Sequence, residues 1–195
     1  MKKIGFLFVY LGLIFLTLSC NSDEVQGVSD EDLMQEFMYG GWKFDKFECQ
    51  LDYSSANPLA VLLPSLREEL LENIQERLGK GVLYFKDTVV YFAQTKDVDV
   101  LEYYRGSYYD YYQDPSRIEL SNTILLSGAY TPVLQVKQDG EYLVLYLTRE
   151  QTLDLIKNDN SIEEKYVSII DKNIDDAQFE FYLRRVNFAF FDEFE

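Results

Sequence analysis

A mainly β domain is predicted, an antiparallel barrel or barrel-like sheet with helices inserted between strands, and three observations predict it. Short extended runs separated by tight turns recur between residues 82 and 147. Tyr (16) and Phe (14) are abundant, and aromatic side chains favour the pleated, half-buried surface of a strand. Prolines number only four, so few of these runs are interrupted. Sequential short strands joined by hairpins fit a closed meander. The alternative is an open sheet with helices packed on one side.

The elements follow in order. Residues 1–19 are a signal peptide: Lys2 and Lys3 form the basic start, and Ile4 to Leu18 an apolar run of 15 residues. A membrane span needs about 20 such residues, so the run fits an export signal better. Residues 20–33 are small, polar and acidic, and read as a tether. The domain proper is 34–195. Ser29 with Asp32 is expected to cap a short helix through Met38, stopped by Gly40-Gly41. Trp42 to Leu51 reads as the first strand, although neither of its alternating faces is cleanly apolar. Leu63, Leu66, Leu70, Ile74 and Leu78 recur at intervals of three and four, which makes Leu63–Leu78 a helix with one apolar stripe. Pro64 suits its first turn, and Gly79 is expected to end it in a left-handed conformation.

Strands return after this inserted helix. Val82–Phe85 and Val89–Ala93 flank Lys86-Asp87-Thr88. Val100–Gln113 is a tyrosine-rich extended run expected to break at Gly106. Arg117–Leu120 and Thr123–Leu126 flank Ser121-Asn122. Val133–Gln138 and Glu141–Leu147 flank Asp139-Gly140, a dipeptide that favours a hairpin turn with positive φ at both residues. A helical pair precedes the last strand: one helix from a Thr148 cap to about Lys157, and one from Ser161, with Glu164 completing a capping box, to about Lys172. Gln178 to Asn187 alternates as the final strand.

Composition excludes several chemistries. Histidine is absent, which removes His-dependent triads and His-ligated metal sites. Only two cysteines are present, so zinc and iron–sulfur cages are not expected. The formal net charge is −16, and cleavage of the signal, losing Lys2 and Lys3, takes it to −18. Such a chain lacks the basic footprint of a nucleic-acid binder. An acidic body is also repelled by an anionic bilayer, so attachment would have to come from elsewhere.

Leu16-Thr17-Leu18-Ser19-Cys20 resembles a bacterial lipobox, with Leu18 bulkier than the residue usual there. Asn21-Ser22-Asp23-Glu24 resembles the surface-export signal of Bacteroidetes lipoproteins. The resemblance implies that Cys20 is lipidated and that the protein is anchored in the outer membrane, facing the cell surface. Cys49 then has no partner in the chain, and no internal disulfide is expected. Gly40-Gly41-Trp42 is similar to the Gly-x-Trp of lipocalins, with Gly40 as its first position. In that family the Trp closes one end of the barrel and an Arg of the last strand stacks over it. Parity with Phe181 and Leu183 picks Arg185 over Arg184 for that role. The whole mature domain resembles lipocalin-like lipoproteins of Bacteroidetes of unknown function, with the long inserted helix and the helical pair as departures.

Tyr103 to Tyr112 is the candidate contact segment. Tyr104, Tyr109 and Tyr111 are singled out as ligand- or partner-binding rings, Tyr109 and Tyr111 being taken to face outward. The acidic pairs Asp110/Asp114 and Asp159/Glu163 lack the Gly and closing Glu of a calcium loop, and no metal or other cofactor is expected. Cys49, with no His to activate it, reads as a buried inert thiol. The expected function is non-catalytic: binding of a small apolar or glycan ligand in a barrel mouth. The alternative is an accessory subunit of an outer-membrane complex with a filled barrel.

Overall fold

The computed structural model describes residues 30–53, 61–97, 100–121, 133–158 and 174–188. The signal peptide, Cys20, the tether, Thr123–Leu126 and the expected helix from Ser161 lie outside them. Helix α1 (Asp30–Met38) leads into β1 (Gly40–Tyr53), and α2 (Leu63–Leu78) follows. Then come β2 (Gly81–Lys86), β3 (Val89–Asp97), β4 (Val100–Gln113), β5 (Ser116–Leu120), β6 (Val133–Asp139) and β7 (Tyr142–Leu147). Helix α3 (Arg149–Asn158) precedes β8 (Ile174–Val186). The eight strands form a closed antiparallel barrel in sequence order, β1 pairing with both β2 and β8.

β1 explains its own mixed pattern. Its pairing with β8 slips between Phe44 and Lys46. A bulge there inserts one residue and exchanges the two faces. Trp42 and Phe44 are therefore buried before the bulge, and Phe47, Cys49 and Leu51 turn to the core after it. A strict two-residue period could not have placed both sets.

The interior is filled with rings. Trp42, Phe85, Phe179 and Phe181 are wholly inaccessible, and Phe44 and Phe92 nearly so. Phe181 meets Phe44 at 6.2 Å and Phe47 at 6.0 Å, both edge-on, and Phe179 at 4.9 Å with the rings tilted. An eight-stranded barrel is just wide enough for side chains to fill it. The stripe of α2 joins the same cluster, with each of its five residues at most 2% exposed. The Gln94 side chain donates to the Arg77 carbonyl at 2.8 Å, and the Thr95 hydroxyl to that of Lys80 at 3.2 Å. Thus α2 runs from β1 to β3 and covers one end of the barrel.

Three local expectations are corrected. Gly79 is right-handed, with φ −61°; its use is space, because a Cβ there would lie 2.5 Å from the Gln75 carbonyl oxygen. The β6–β7 loop is Gly140-Glu141, with Asp139 paired to Tyr142. Only Gly140 has positive φ, 59°, the requirement of a type II′ turn. β4 continues through Gly106, which faces Tyr91 of β3 at a point where a Cβ would meet the ring at 3.2 Å. At α3, the Thr148 N–H donates to the Gln151 side chain at 2.9 Å, one half of a capping box.

Candidate functional site

The structure brings Gly40, Trp42 and Arg185 together. Trp42 and Arg185 are direct cross-strand partners, and the guanidinium stands 4.5 Å above the indole. The indole N–H donates to the Met38 carbonyl at 2.7 Å. Phe37 tilts against the indole at 5.2 Å. Arg185 donates to the Tyr39 carbonyl at 2.7 Å and also to the Phe37 carbonyl. These carbonyls end α1, where unpaired acceptors and the helix dipole favour a cation. Burial against the rings pulls the Arg185 pKa below its ordinary value, yet a guanidinium stays charged. Gly40, at φ 108°, passes 3.0 Å from Arg185 Nη1, measured from where a Cβ would stand. The cluster fixes α1 over this end of the barrel; it contains no nucleophile.

Tyr104, Tyr109 and Tyr111 do not share a face. Tyr109 and Tyr111 oppose Leu120 and Ile118 of β5, and both turn inward, which corrects the outward facing expected from sequence. Tyr109 is buried and edge-stacked on Phe85 at 5.5 Å. Its hydroxyl pKa is pushed up to about 12, first by burial and then by the Asp87 charge. Tyr111 packs against the core, its hydroxyl 2.9 Å from that of Ser116. Tyr104 is on the outer face, edge-on to Tyr91 at 6.3 Å. The signal that separates them was Asp110: a carboxylate faces water, so residues of its parity, Tyr104, Tyr108 and Tyr112, lie outside.

A groove borders this stretch of β4; of its acidic residues, Glu36 and Asp87 were not singled out from sequence, and Asp110 was weighed only as half of a calcium pair. Two adjoining clefts of about 450 and 350 Å³ share Gln35, Asp87 and Tyr109. Gln35, Glu36 and Tyr39 form the α1 wall. Asp87 and Thr88, the β2–β3 turn, form one end, with Asp87 at φ 50°. Tyr109 to Tyr112 form the strand wall. The β3–β4 ladder stops at Val89–Tyr108, so β4 overhangs the short turn by its last five residues, Tyr109 to Gln113.

Cys49 is buried, and burial raises its thiol to about 12, with Arg67 opposing; such a thiol is a poor nucleophile at neutral pH. Among the described residues, no three Cys, Asp or Glu side chains converge as metal ligands. Asp159 and Glu163 lie outside those residues. No protein-family model, curated protein or solved structure matches the chain.

Proposed function

We propose that the chain is a non-catalytic, lipid-anchored envelope protein of the lipocalin-like type that works by contact with another protein, as an accessory of an outer-membrane assembly. The observation that carries this reading is the packed interior: six aromatic rings at most 3% exposed, under the stripe of α2. A small apolar or glycan ligand in the barrel mouth is the competing reading. It needs room for a ligand, and the buried rings and the α2 stripe inside the described part of the barrel speak against it. The eight-stranded antiparallel architecture is compatible with a lipocalin-like fold, and the Trp42–Arg185 stack supports the kinship proposed here.

Anchoring rests on Cys20. Metabolic labelling with a fatty acid is expected to mark the wild type and to miss Cys20→Ala; equal labelling sinks the anchor. The contact reading is tested by cross-linking the tagged full-length protein in its native membrane, solubilising mildly, and analysing both proteins and extracted small molecules by mass spectrometry. A stoichiometric protein partner is expected. A stoichiometric small molecule without any protein partner would overturn the reading in favour of the ligand carrier.

A further inference from the structure

We propose that the groove between α1 and the overhanging end of β4 docks a basic, extended segment of a partner protein. The inference deepens the contact reading given above and rests on it. Three observations carry it: backbone geometry, charge, and the way this chain seats its own cations.

Backbone geometry comes first. The Tyr109 N–H donates to the Thr88 carbonyl at 2.8 Å, towards β3, and the Tyr108 carbonyl accepts from the Ser121 N–H at 2.8 Å, on the β5 side. Backbone groups alternate along a strand, so those of Tyr111 and Gln113 face the β3 side, beyond the point where β3 begins. No described strand pairs with them there. An extended peptide can add to such an edge by main-chain hydrogen bonds, with its side chains alternating into and out of the groove.

Charge selects the peptide. Glu36, Asp87 and Asp110 line the groove, and the described lining residues include no Lys or Arg. The rings of Tyr39 and Tyr112 are exposed at its rim. The same chain places its own cations between a tyrosine and a carboxylate. Lys46 sits 3.8 Å over Tyr182 and 2.6 Å from Glu48. Arg184 lies 5.5 Å over Tyr142 and 3.2 Å from Asp45. Arg117 lies 4.3 Å over Tyr112 and 3.0 Å from Glu119, at the rim of the groove itself. Each arrangement combines cation–π attraction with an ion pair. The groove offers the exposed Tyr39 ring and the Glu36, Asp87 and Asp110 carboxylates, and the partner would bring the cation.

The test uses full-length protein in mild detergent and a fluorescein-labelled octapeptide of alternating Lys and Ser, followed by anisotropy. Glu36→Gln/Asp87→Asn/Asp110→Asn is expected to weaken binding at least tenfold. Asn is chosen at 87 because it tolerates positive φ. Glu68→Gln/Glu72→Gln/Glu76→Gln, an equal charge change on the exposed side of α2, is expected to bind as the wild type does. An octapeptide N-methylated at alternate residues, which cannot complete the ladder, is expected to bind more weakly. Equal losses in the two triple variants would reduce the effect to net charge and overturn the site, as would wild-type binding by the groove variant. Failure of the contact reading looks different: no cross-linked partner at all. A partner captured equally by wild type and groove variant would retain that reading and place the contact elsewhere.

Discussion

Replacing Arg185 with Met keeps a flexible apolar stem and removes the guanidinium, so it measures what the stack at the end of the barrel contributes. Three interactions are lost: the contact 4.5 Å above Trp42, the hydrogen bond to the Tyr39 carbonyl and that to the Phe37 carbonyl. The cation–π part is about 1 kcal/mol for a partly desolvated ring. Hydrogen bonds from a charged group contribute about 1.5–3 kcal/mol each when buried, and these are discounted by half or more because the Arg185 side chain is exposed. The expected loss is about 2–3 kcal/mol, which lowers Tm by roughly 5–10 °C in a domain of this size. Arg185→Lys keeps the charge but loses the planar fork, and is expected to fall between the two. Urea unfolding is followed by the emission of the single Trp, whose indole is itself part of the stack. A double-mutant cycle with Trp42→Leu, with unfolding of all four proteins followed by far-UV circular dichroism because this substitution removes the only Trp, isolates the pair, with a coupling of about 1 kcal/mol expected. An Arg185→Met protein within about 0.5 kcal/mol of wild type would refute this account of the closure.

Further tests address the core and the turns. Leu70→Ala should cost about 2–5 kcal/mol by urea titration, because the side chain is buried where α2 meets the barrel interior; a surface-like cost below about 0.5 kcal/mol would mean that the helix does not pack there. Burial holds the Cys49 thiol protonated up to about 12 against an ordinary 9.0. Its contribution is therefore complete below pH 9 and declines above it, as the unfolded thiol ionises and the native one does not, at a limiting slope of about 1.4 kcal/mol per pH unit. Cys49→Ala should flatten the stability profile between pH 9 and 10, and matching profiles for the two proteins would rule the effect out. Gly140→Ala meets no atom within 4 Å, so its cost should be the left-handed backbone alone, about 1 kcal/mol; a neutral result in thermal melts would show that the turn relaxes.

The barrel was legible because its signals are local and agree with one another. Alternation, tight turns and the three- and four-residue spacing of the α2 stripe each depend on neighbours in sequence. The departures arise where tertiary structure intervenes. The faces of β1 looked unresolved because a bulge near Asp45 swaps them partway along the strand. Tyr109 and Tyr111 were given the wrong facing because tyrosine occurs at both parities of β4, and a ring with a hydroxyl suits either side. Gly79 looked like a left-handed stop, whereas crowding by Gln75 accounts for a residue without Cβ in right-handed backbone. The groove was beyond reach from sequence, since Gln35, Asp87 and Asp110 meet only when α1, a hairpin turn and a strand end are assembled. A turn at Lys86-Asp87-Thr88 was foreseen, with Lys86 in fact ending β2; that β4 would outrun the turn was not.

The overhang of β4 also bears on why the groove is acidic. An unpaired strand edge is a template for pairing with another copy of the chain, and proteins commonly protect such edges with charge. Asp110 lies on this edge, and Glu36 and Asp87 stand beside it. Two copies meeting edge to edge would bring these carboxylates together, and the net charge of −16 adds a longer-range repulsion. Lipid anchoring would make this protection more useful by confining the copies to a surface, where collisions are frequent. The same carboxylates favour a partner strand that carries Lys or Arg. One set of charges thus opposes self-pairing and admits a cationic partner, so neutralising it is expected to weaken the octapeptide and to increase self-association together. Sedimentation velocity of the groove variant tests the second effect: a shift towards dimer is expected, and a monomer unchanged from wild type would remove the protective role while leaving the docking result to stand on its own.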